Sequence, residues 1–71
     1  MLTKKQKALI GMLASIKISE TTAALAASDL NESQMDELVD YLIKKHQTGT
    51  EATEEEVIKA LLIFHKKSEK I

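Results

Sequence analysis

Cysteine, proline, tryptophan and arginine are absent from this chain of 71 residues, and glycine, tyrosine and phenylalanine are rare. Without cysteine the chain has neither a disulfide framework nor a zinc or iron–sulfur site that needs thiolates. No apolar run approaches the roughly 20 residues of a transmembrane helix. A chain of this size buries only about 60% of the surface that its unfolded form exposes, so we expect one small domain.

The residues that are present favour helices. Hydrophobic residues make up 44% of the chain and charged residues 30%, which argues against disorder. Alanine, leucine, lysine, glutamate and glutamine dominate, and no stretch alternates with the period of a strand. We therefore predict an all-α fold: a single compact bundle of four helices over residues 1–71, with helices at about 3–17, 20–28, 32–47 and 54–69.

Capping patterns predict where the helices begin. A hydroxyl or amide side chain followed three residues later by glutamine or glutamate is typical of a capping box. The pattern occurs at Thr3–Gln6, Asn31–Gln34 and Thr53–Glu56. Ser19 is the predicted cap of helix two, and Gly49 is a natural stop for helix three.

Helical spacing predicts the core. The predicted core residues are Leu9, Leu13, Ile16, Leu25, Leu30, Leu38, Leu42, Val57, Leu61 and Phe64. Helix two is rich in alanine, so Leu25 is expected to be its main apolar anchor. Ala8, Gly11 and Ser15 form a small-residue face on helix one. We expect this face to pack against helix two, or helix two to pack tightly against helix three.

The apolar side of helix four is wider than one small core requires. Its apolar residues span about 200° at helical spacing, and Ile63 lies outside even that arc. The candidate protein interface is therefore Ile58, Leu62 and Ile63. The favoured function is a small, non-enzymatic protein-interaction or regulatory module whose partner is another protein or a second copy, as in a homodimer.

The net charge of −1 hides a strong segregation along the chain. Residues 1–17 carry +4, residues 18–56 carry −8 and residues 57–71 carry +3. Helix dipoles favour acids at helix starts and lysines at helix ends, which accounts for helices three and four. They do not account for helix one, whose lysines lie at its start. A basic patch on helix one is therefore a functional hint.

The first two thirds of the chain carry a resemblance. The segments Leu2–Gln6 (LTKKQ) and Ser19–Ala26 (SETTAALA) are similar to the first two helices of small bacterial and phage helix-turn-helix domains. Leu30–Met35 and Leu38–Lys45 look like the third helix of winged-helix proteins. The resemblance covers residues 2–45 and implies that the first three helices have a helix-turn-helix-like arrangement.

This resemblance implies DNA binding as the alternative function. The nucleic-acid contacts would be Lys4, Lys5, Lys7, Ser33, Gln34, Lys44 and Lys45. The sequence departs from the family at the helix that would enter the major groove, where Glu32, Asp36 and Glu37 oppose phosphate. It also has no arginine for bidentate guanine contacts and no strands for a wing. Protein binding is therefore the main prediction.

Other function classes find little support in the residues. Asp29–Ser33 matches the first ligand positions of a calcium loop, but Gln34 replaces the required glycine and Asp40 replaces the bidentate glutamate. His46 and His65 are the only histidines, and a metal site needs more ligands. No glycine-rich phosphate loop or cysteine nucleophile indicates an enzyme. We expect no cofactor, no metal, no small-molecule substrate, no membrane association and a cytoplasmic location.

Overall fold

Four helices account for most of the molecule. The computed structural model describes residues 2–69 and side chains up to residue 66, so residues 1, 70 and 71 of the predicted domain lie outside the described residues. The helices are α1 (Lys4–Ser15), α2 (Glu20–Asp29), α3 (Glu32–Gln47) and α4 (Glu54–Glu69). Residues 2–69 contain no strand, which confirms the all-α fold with four helices. Within that range, no helix combines the length and the apolar character needed to cross a membrane.

Side-chain caps begin all four helices as the sequence predicts. At α1, Thr3 Oγ1 accepts from the Gln6 N–H, and Gln6 Oε1 accepts from the Thr3 N–H. Ser19 Oγ accepts from the Thr22 N–H at the start of α2. The same reciprocal exchange as in α1 occurs at Asn31–Gln34 and Thr53–Glu56. Each exchange satisfies two N–H groups that have no partner inside the helix.

The first helix ends earlier than predicted, at Ser15 and not near residue 17. Lys17 adopts the left-handed conformation with φ of 67°. Its N–H donates to the Ala14 carbonyl at 3.0 Å, and the Ile18 N–H donates to the Leu13 carbonyl at 3.0 Å. These two bonds form a Schellman motif, which usually contains glycine at the left-handed position. The sequence has lysine there, so it carries no stop signal.

The third helix ends at the predicted glycine. Gly49 has φ of 84°, its N–H donates to the His46 carbonyl, and the Thr50 N–H donates to the Lys45 carbonyl. The geometry repeats the end of α1, here with the residue that adopts positive φ without steric cost.

The core contains eight of the ten predicted residues in buried positions. They are Leu9, Leu13, Leu30, Leu38, Leu42, Val57, Leu61 and Phe64. Ile16 is partly buried and packs against this cluster. Ile18, Met35 and Ala52 are buried in addition, two of them in the connections between helices.

The prediction that Leu25 anchors α2 in the core is wrong, because Leu25 is 48% exposed. The buried side of α2 consists of Thr22, Ala23, Ala26 and Ala27. At about 100° per residue the three buried alanines fall within an arc of about 100°, and Leu25 lies across the helix from them, so the largest apolar residue is a misleading guide to the buried side. With alanines in the interface, the backbone of α2 lies close to its neighbours.

The small-residue face of α1 is exposed, so it is not the side of α1 that packs into the core. Ala8, Gly11 and Ser15 are all exposed, and apart from the adjacent residues and the backbone of α1 itself no atom lies within 4 Å of the position that a Gly11 Cβ would take. The second helix instead packs mainly against the side of α1 that carries the buried Leu9 and Leu13. Two leucines bury more apolar surface than the small residues would, which decides the orientation of α1.

Polar links orient the last two helices. The Gln34 side-chain amide donates to the Phe64 carbonyl at 3.3 Å, which joins the start of α3 to the second half of α4. Lys45 Nζ lies 2.7 Å from Glu56 Oε2, which joins the end of α3 to the start of α4. The two helices therefore run antiparallel.

Candidate protein-binding surfaces

Large hydrophobic side chains are common on the surface that the structure describes. The predicted interface residues are all among them: Ile58 is 42% exposed, Leu62 57% and Ile63 55%. Among residues 2–66, whose side chains the structure describes, the exposed large hydrophobic residues are Leu2, Leu25, Tyr41, Ile43, Ile58, Leu62 and Ile63. Scattered exposed leucines need no explanation, so the arrangement of these residues matters more than their number.

The three predicted interface residues lie on two different sides of α4. Each residue advances about 100° around a helix, so Ile58 and Leu62 are only about 40° apart, whereas Ile63 is about 100° beyond Leu62. Ile63 lines a groove between α4 and α3. Ile58 and Leu62 follow Glu54, whose side chain bonds to α2. The three residues that the sequence predicts as one interface therefore belong to two separate surfaces.

The first surface is the α3–α4 groove, which encloses about 510 Å³. Its lining residues are Glu37, Leu38, Tyr41, Glu56, Lys59, Ala60, Ile63 and Phe64. Leu38 and Phe64 are buried residues and form its apolar floor, while Tyr41 and Ile63 are exposed at its sides. The groove combines an apolar interior with charged residues at the edge, the usual composition of a binding cleft.

Glu56 fixes one edge of the α3–α4 groove. Its carboxylate accepts from Lys45 Nζ at 2.7 Å, from the Thr53 N–H at 3.0 Å and from the Tyr41 hydroxyl at 3.3 Å. The hydrogen bond from Lys45, followed by that from the Thr53 N–H, lowers the pKa of Glu56 to about 2. The same bond raises the pKa of Lys45 above its ordinary value. Tyr41 is thus held at the groove by a carboxylate that stays ionised.

The second surface is the α2–α4 face, which consists of Leu25, Ile58 and Leu62. The carboxylate of Glu54 accepts from the Thr22 hydroxyl, and from the Ser19 N–H at 2.8 Å and hydroxyl at 2.9 Å. These hydrogen bonds lower the pKa of Glu54, and the bond from the Thr22 hydroxyl has the largest effect.

Leu25 lies one turn after Thr22, and Ile58 lies one turn after Glu54. Because the Thr22 and Glu54 side chains are bonded and α2 packs on α4, Leu25 and Ile58 each lie one turn beyond the same contact between the two helices. The exposed side of α2 beside this contact carries no charge between Glu20 and Asp29. It consists of Thr21, Ala24, Leu25 and Ser28.

A smaller groove of about 390 Å³ lies between α1 and α3. Its lining residues are Met12, Ser15, Ile16, Leu42, Ile43, His46 and Glu51. His46 Nδ1 and Glu51 Oε1 are 2.5 Å apart at this groove. Among residues 2–69, no group of three or more His, Cys, Asp or Glu side chains is placed to hold a metal ion.

The lysines proposed for DNA contact are largely engaged with acids. Three of the five form ion pairs: Lys5 with Asp36 at 3.0 Å, Lys44 with Asp40 at 3.0 Å and Lys45 with Glu56 at 2.7 Å. The hydrogen bond to Asp36 raises the pKa of Lys5. These pairs place negative charge next to the positive groups that phosphate would need.

The polar residues proposed for base contact differ from each other in their surroundings. Ser33 is exposed near the start of α3. Gln34 has its oxygen bonded to the Asn31 N–H and its amide bonded to the Phe64 carbonyl. Lys4 and Lys7 are exposed in the first turn of α1. A base contact from Gln34 would therefore replace two bonds that support the fold.

Among the exposed large hydrophobic residues of these two surfaces, Leu25 and Tyr41 are not predicted as interface candidates from the sequence. Leu25 looked like a core residue because it is the only large apolar residue of α2. Tyr41 lies on α3, and only the antiparallel packing of α4 shows that it lines a groove with Ile63.

The two surfaces are thus assigned from their own geometry and charge. The chain matches no protein-family model, no curated protein and no solved structure.

Proposed function

We propose that the chain is a small, non-enzymatic protein-interaction module that binds an amphipathic helix of a partner protein in the α3–α4 groove. The observation that supports this most is the groove itself: an apolar floor of Leu38 and Phe64, with Ile63 55% exposed at its side. A partner helix that lays its apolar face into such a groove buries anchors at positions i, i+3 and i+4. Exposed apolar surface in a cleft is typical of an interaction site.

The charges around the groove indicate the chemistry of the partner. Glu37 and Glu56 lie at the edge of the groove, with Lys59 as the one base among the lining residues whose side chains the structure describes. The first nine residues of α3, 32–40, contain four acids and no base. The partner helix is therefore one that carries lysine or arginine beside its apolar anchors, because opposite charges at the rim favour encounter and orientation.

The proposal includes no catalytic step and a cytoplasmic location. The chain has no cysteine nucleophile and no glycine-rich phosphate loop. A chain without cysteine has no need of an oxidising compartment. Both points follow from composition, and neither depends on the groove.

DNA binding by a bacterial or phage regulator of helix-turn-helix type is the second candidate. It is supported by the resemblance of residues 2–45 and by the exposed Lys4 and Lys7 at the start of α1. The ion pairs of Lys5, Lys44 and Lys45 favour the first candidate, because phosphate contacts would have to compete with them.

The test starts with capture of partners from a lysate of the native host, followed by titration of the purified partner. Ile63→Glu places a charge at the groove and is expected to weaken partner binding at least about tenfold, as loss of a central apolar anchor does. Nuclear magnetic resonance titration should place the largest shifts at Leu38, Tyr41 and Phe64.

Leu62→Glu is the matched control, because Leu62 is equally exposed, adjacent in sequence and outside the groove. It should leave partner binding unchanged. Equal losses in the two variants, or shifts that map to α1, would refute the proposed groove. Salt-dependent binding of generic duplex DNA at low salt would support the second candidate in its place.

A further inference from the structure

We propose that two copies of the chain associate through the outer side of α4, with the two α4 helices antiparallel. The contact surface is the α4 stripe, defined as Glu55, Ile58, Leu62 and Lys66. This inference is separate from the proposed function, since the α4 stripe shares no residue with the lining of the α3–α4 groove.

The α4 stripe faces away from the core. At about 100° per residue its four members fall within an arc of about 80°. The buried residues of α4 are Val57, Leu61 and Phe64, and the centre of their arc lies about 130° around the helix from the centre of the stripe, with Ile58 as the member nearest to them. All four side chains of the stripe are exposed. Two aliphatic residues thus occupy the middle of an otherwise charged, solvent-facing side.

The charges at the two ends of the stripe have opposite sign, so the stripe is complementary to a reversed copy of itself. Glu55 lies toward the start of α4 and Lys66 toward its end, with Ile58 and Leu62 between them. A two-fold axis near residue 60 places Ile58 of one copy opposite Leu62 of the other. It also brings Glu55 of one copy close to Lys66 of the other. The two residues differ in position along the helix axis by one residue, or about 1.5 Å. Such a contact is the same on both copies, as two-fold symmetry requires.

Antiparallel pairing is the only direction that gives this match. In a parallel pair Glu55 would face Glu55 and Lys66 would face Lys66, which is repulsive. Antiparallel helices also oppose their dipoles favourably. The ion pair between Glu55 and Lys59, 3.6 Å apart, is exposed and leaves the carboxylate accessible to a second cation. The charges of the α4 stripe therefore match those of a second, antiparallel copy of the chain, which is the proposed binding partner of this surface.

The surroundings of the α4 stripe permit this approach. Leu25 of α2 is 48% exposed and, like Ile58, lies one turn beyond the Thr22–Glu54 contact, so it adds apolar surface on the α2 side of the stripe. The exposed side of α2 has no charge from Thr21 to Ser28, so no unpaired ion would be buried there. The interface is small, and we expect a dimer that dissociates on dilution.

Sedimentation equilibrium of the full chain tests this at chain concentrations up to about 1 mM, a range in which weak interfaces populate. The wild type should approach the mass of two chains, and Leu62→Glu should remain at the mass of one. Ile63→Glu is the matched control, because Ile63 is the adjacent residue and is equally exposed on a different side of α4. It should dimerise like the wild type.

Charge reversal tests the direction of pairing. Glu55→Lys alone and Lys66→Glu alone should each weaken the dimer about five- to tenfold, because each creates two symmetry-related repulsive contacts. The double variant Glu55→Lys/Lys66→Glu should recover most of the lost affinity between the two copies. Circular dichroism of each variant confirms that the helices are intact.

Three results would overturn the proposal. The first is a wild type that stays at the mass of one chain at about 1 mM. The second is a dimer that Ile63→Glu disrupts as strongly as Leu62→Glu. The third is a double charge variant that is no tighter than the single variants. Each result is independent of whether a partner occupies the α3–α4 groove.

Discussion

Lys17 and Gly49 have the same backbone role but differ in cost. Both have positive φ, and both follow a helix whose last carbonyls accept from the next two N–H groups. Glycine adopts this conformation freely, whereas a residue with a Cβ is strained there by about 1–2 kcal/mol. Lys17 is held in place because the next residue, Ile18, is buried in the core beside Leu13.

Lys17→Gly should therefore stabilise the protein. Relief of strain at Lys17 exceeds the added entropy of the unfolded chain, and we expect a gain of about 0.5–1 kcal/mol in the free energy of unfolding. Urea denaturation measures it. Lys17→Ala removes the same charge but keeps the Cβ, so it should give no gain. Equal effects of the two variants would show that charge, and not backbone strain, is responsible.

The second helix shows how far sequence reasoning reaches at the scale of an element. Its start at Ser19 could be predicted, because a cap is a local interaction between a side chain and a nearby N–H. Its buried side could not be inferred from residue size, because Leu25 lies across the helix from the buried Ala23, Ala26 and Ala27, which fall within an arc of about 100°. The exposed Leu25 shows that packing against α1 and α4 chose the face.

Ala24 and Ala26 give a matched test of that assignment. Ala26 is fully buried, so Ala26→Leu should overpack the contact of α2 with its neighbours and destabilise the protein by about 1–3 kcal/mol. Ala24 is exposed, and Ala24→Leu should change stability by at most about 0.5 kcal/mol. Denaturant unfolding of both variants measures the difference. A larger loss in Ala24→Leu would reverse the assignment of the faces.

The fourth helix shows how much of the candidate site could be predicted from the sequence. Its wide apolar arc could be read from the sequence, and Ile58, Leu62 and Ile63 are all exposed. What could not be read is their division into two surfaces, because it depends on where α2 and α3 lie beside α4. Tyr41 joins Ile63 in the groove only through this packing. The ion pairs that engage Lys5 and Lys45 are likewise distant in sequence.

At the scale of the whole molecule, two carboxylates hold the start of α4. Glu54 bonds to Ser19 and Thr22 of the α2 region, and Glu56 bonds to Lys45 of α3. Both glutamates have a lowered pKa, so both stay ionised where free glutamates begin to protonate. Further along, α4 is joined to α3 by an uncharged amide. The free energy of unfolding should therefore fall at acid pH, as these two glutamates at the start of α4 become protonated.

Glu56→Gln tests this dependence. Glutamine keeps the cap on α4 but removes the ion pair with Lys45, so the variant should be less stable than the wild type at pH 7. The pKa of Glu56 is about 2 in the folded protein, below its ordinary value of 4.5. Its contribution is therefore complete above about pH 4.5 and is lost as pH falls through about 2.

Urea midpoints measured from pH 7 to pH 2 should accordingly converge for the wild type and Glu56→Gln. Glu55→Gln is the control, because it removes a glutamate from the same turn without breaking a bond between α3 and α4. A gap between wild type and Glu56→Gln that stays constant down to pH 2 would show that the carboxylate does not contribute in this way.

The position of Tyr41 also makes the molecule its own optical sensor. The chain has one tyrosine and no tryptophan, so all of its tyrosine emission comes from a single ring that lines the α3–α4 groove. The Tyr41 hydroxyl bonds to Glu56, the carboxylate that links α3 to α4. Occupation of the groove and loss of that link in acid therefore both alter the environment of one unlabelled fluorophore.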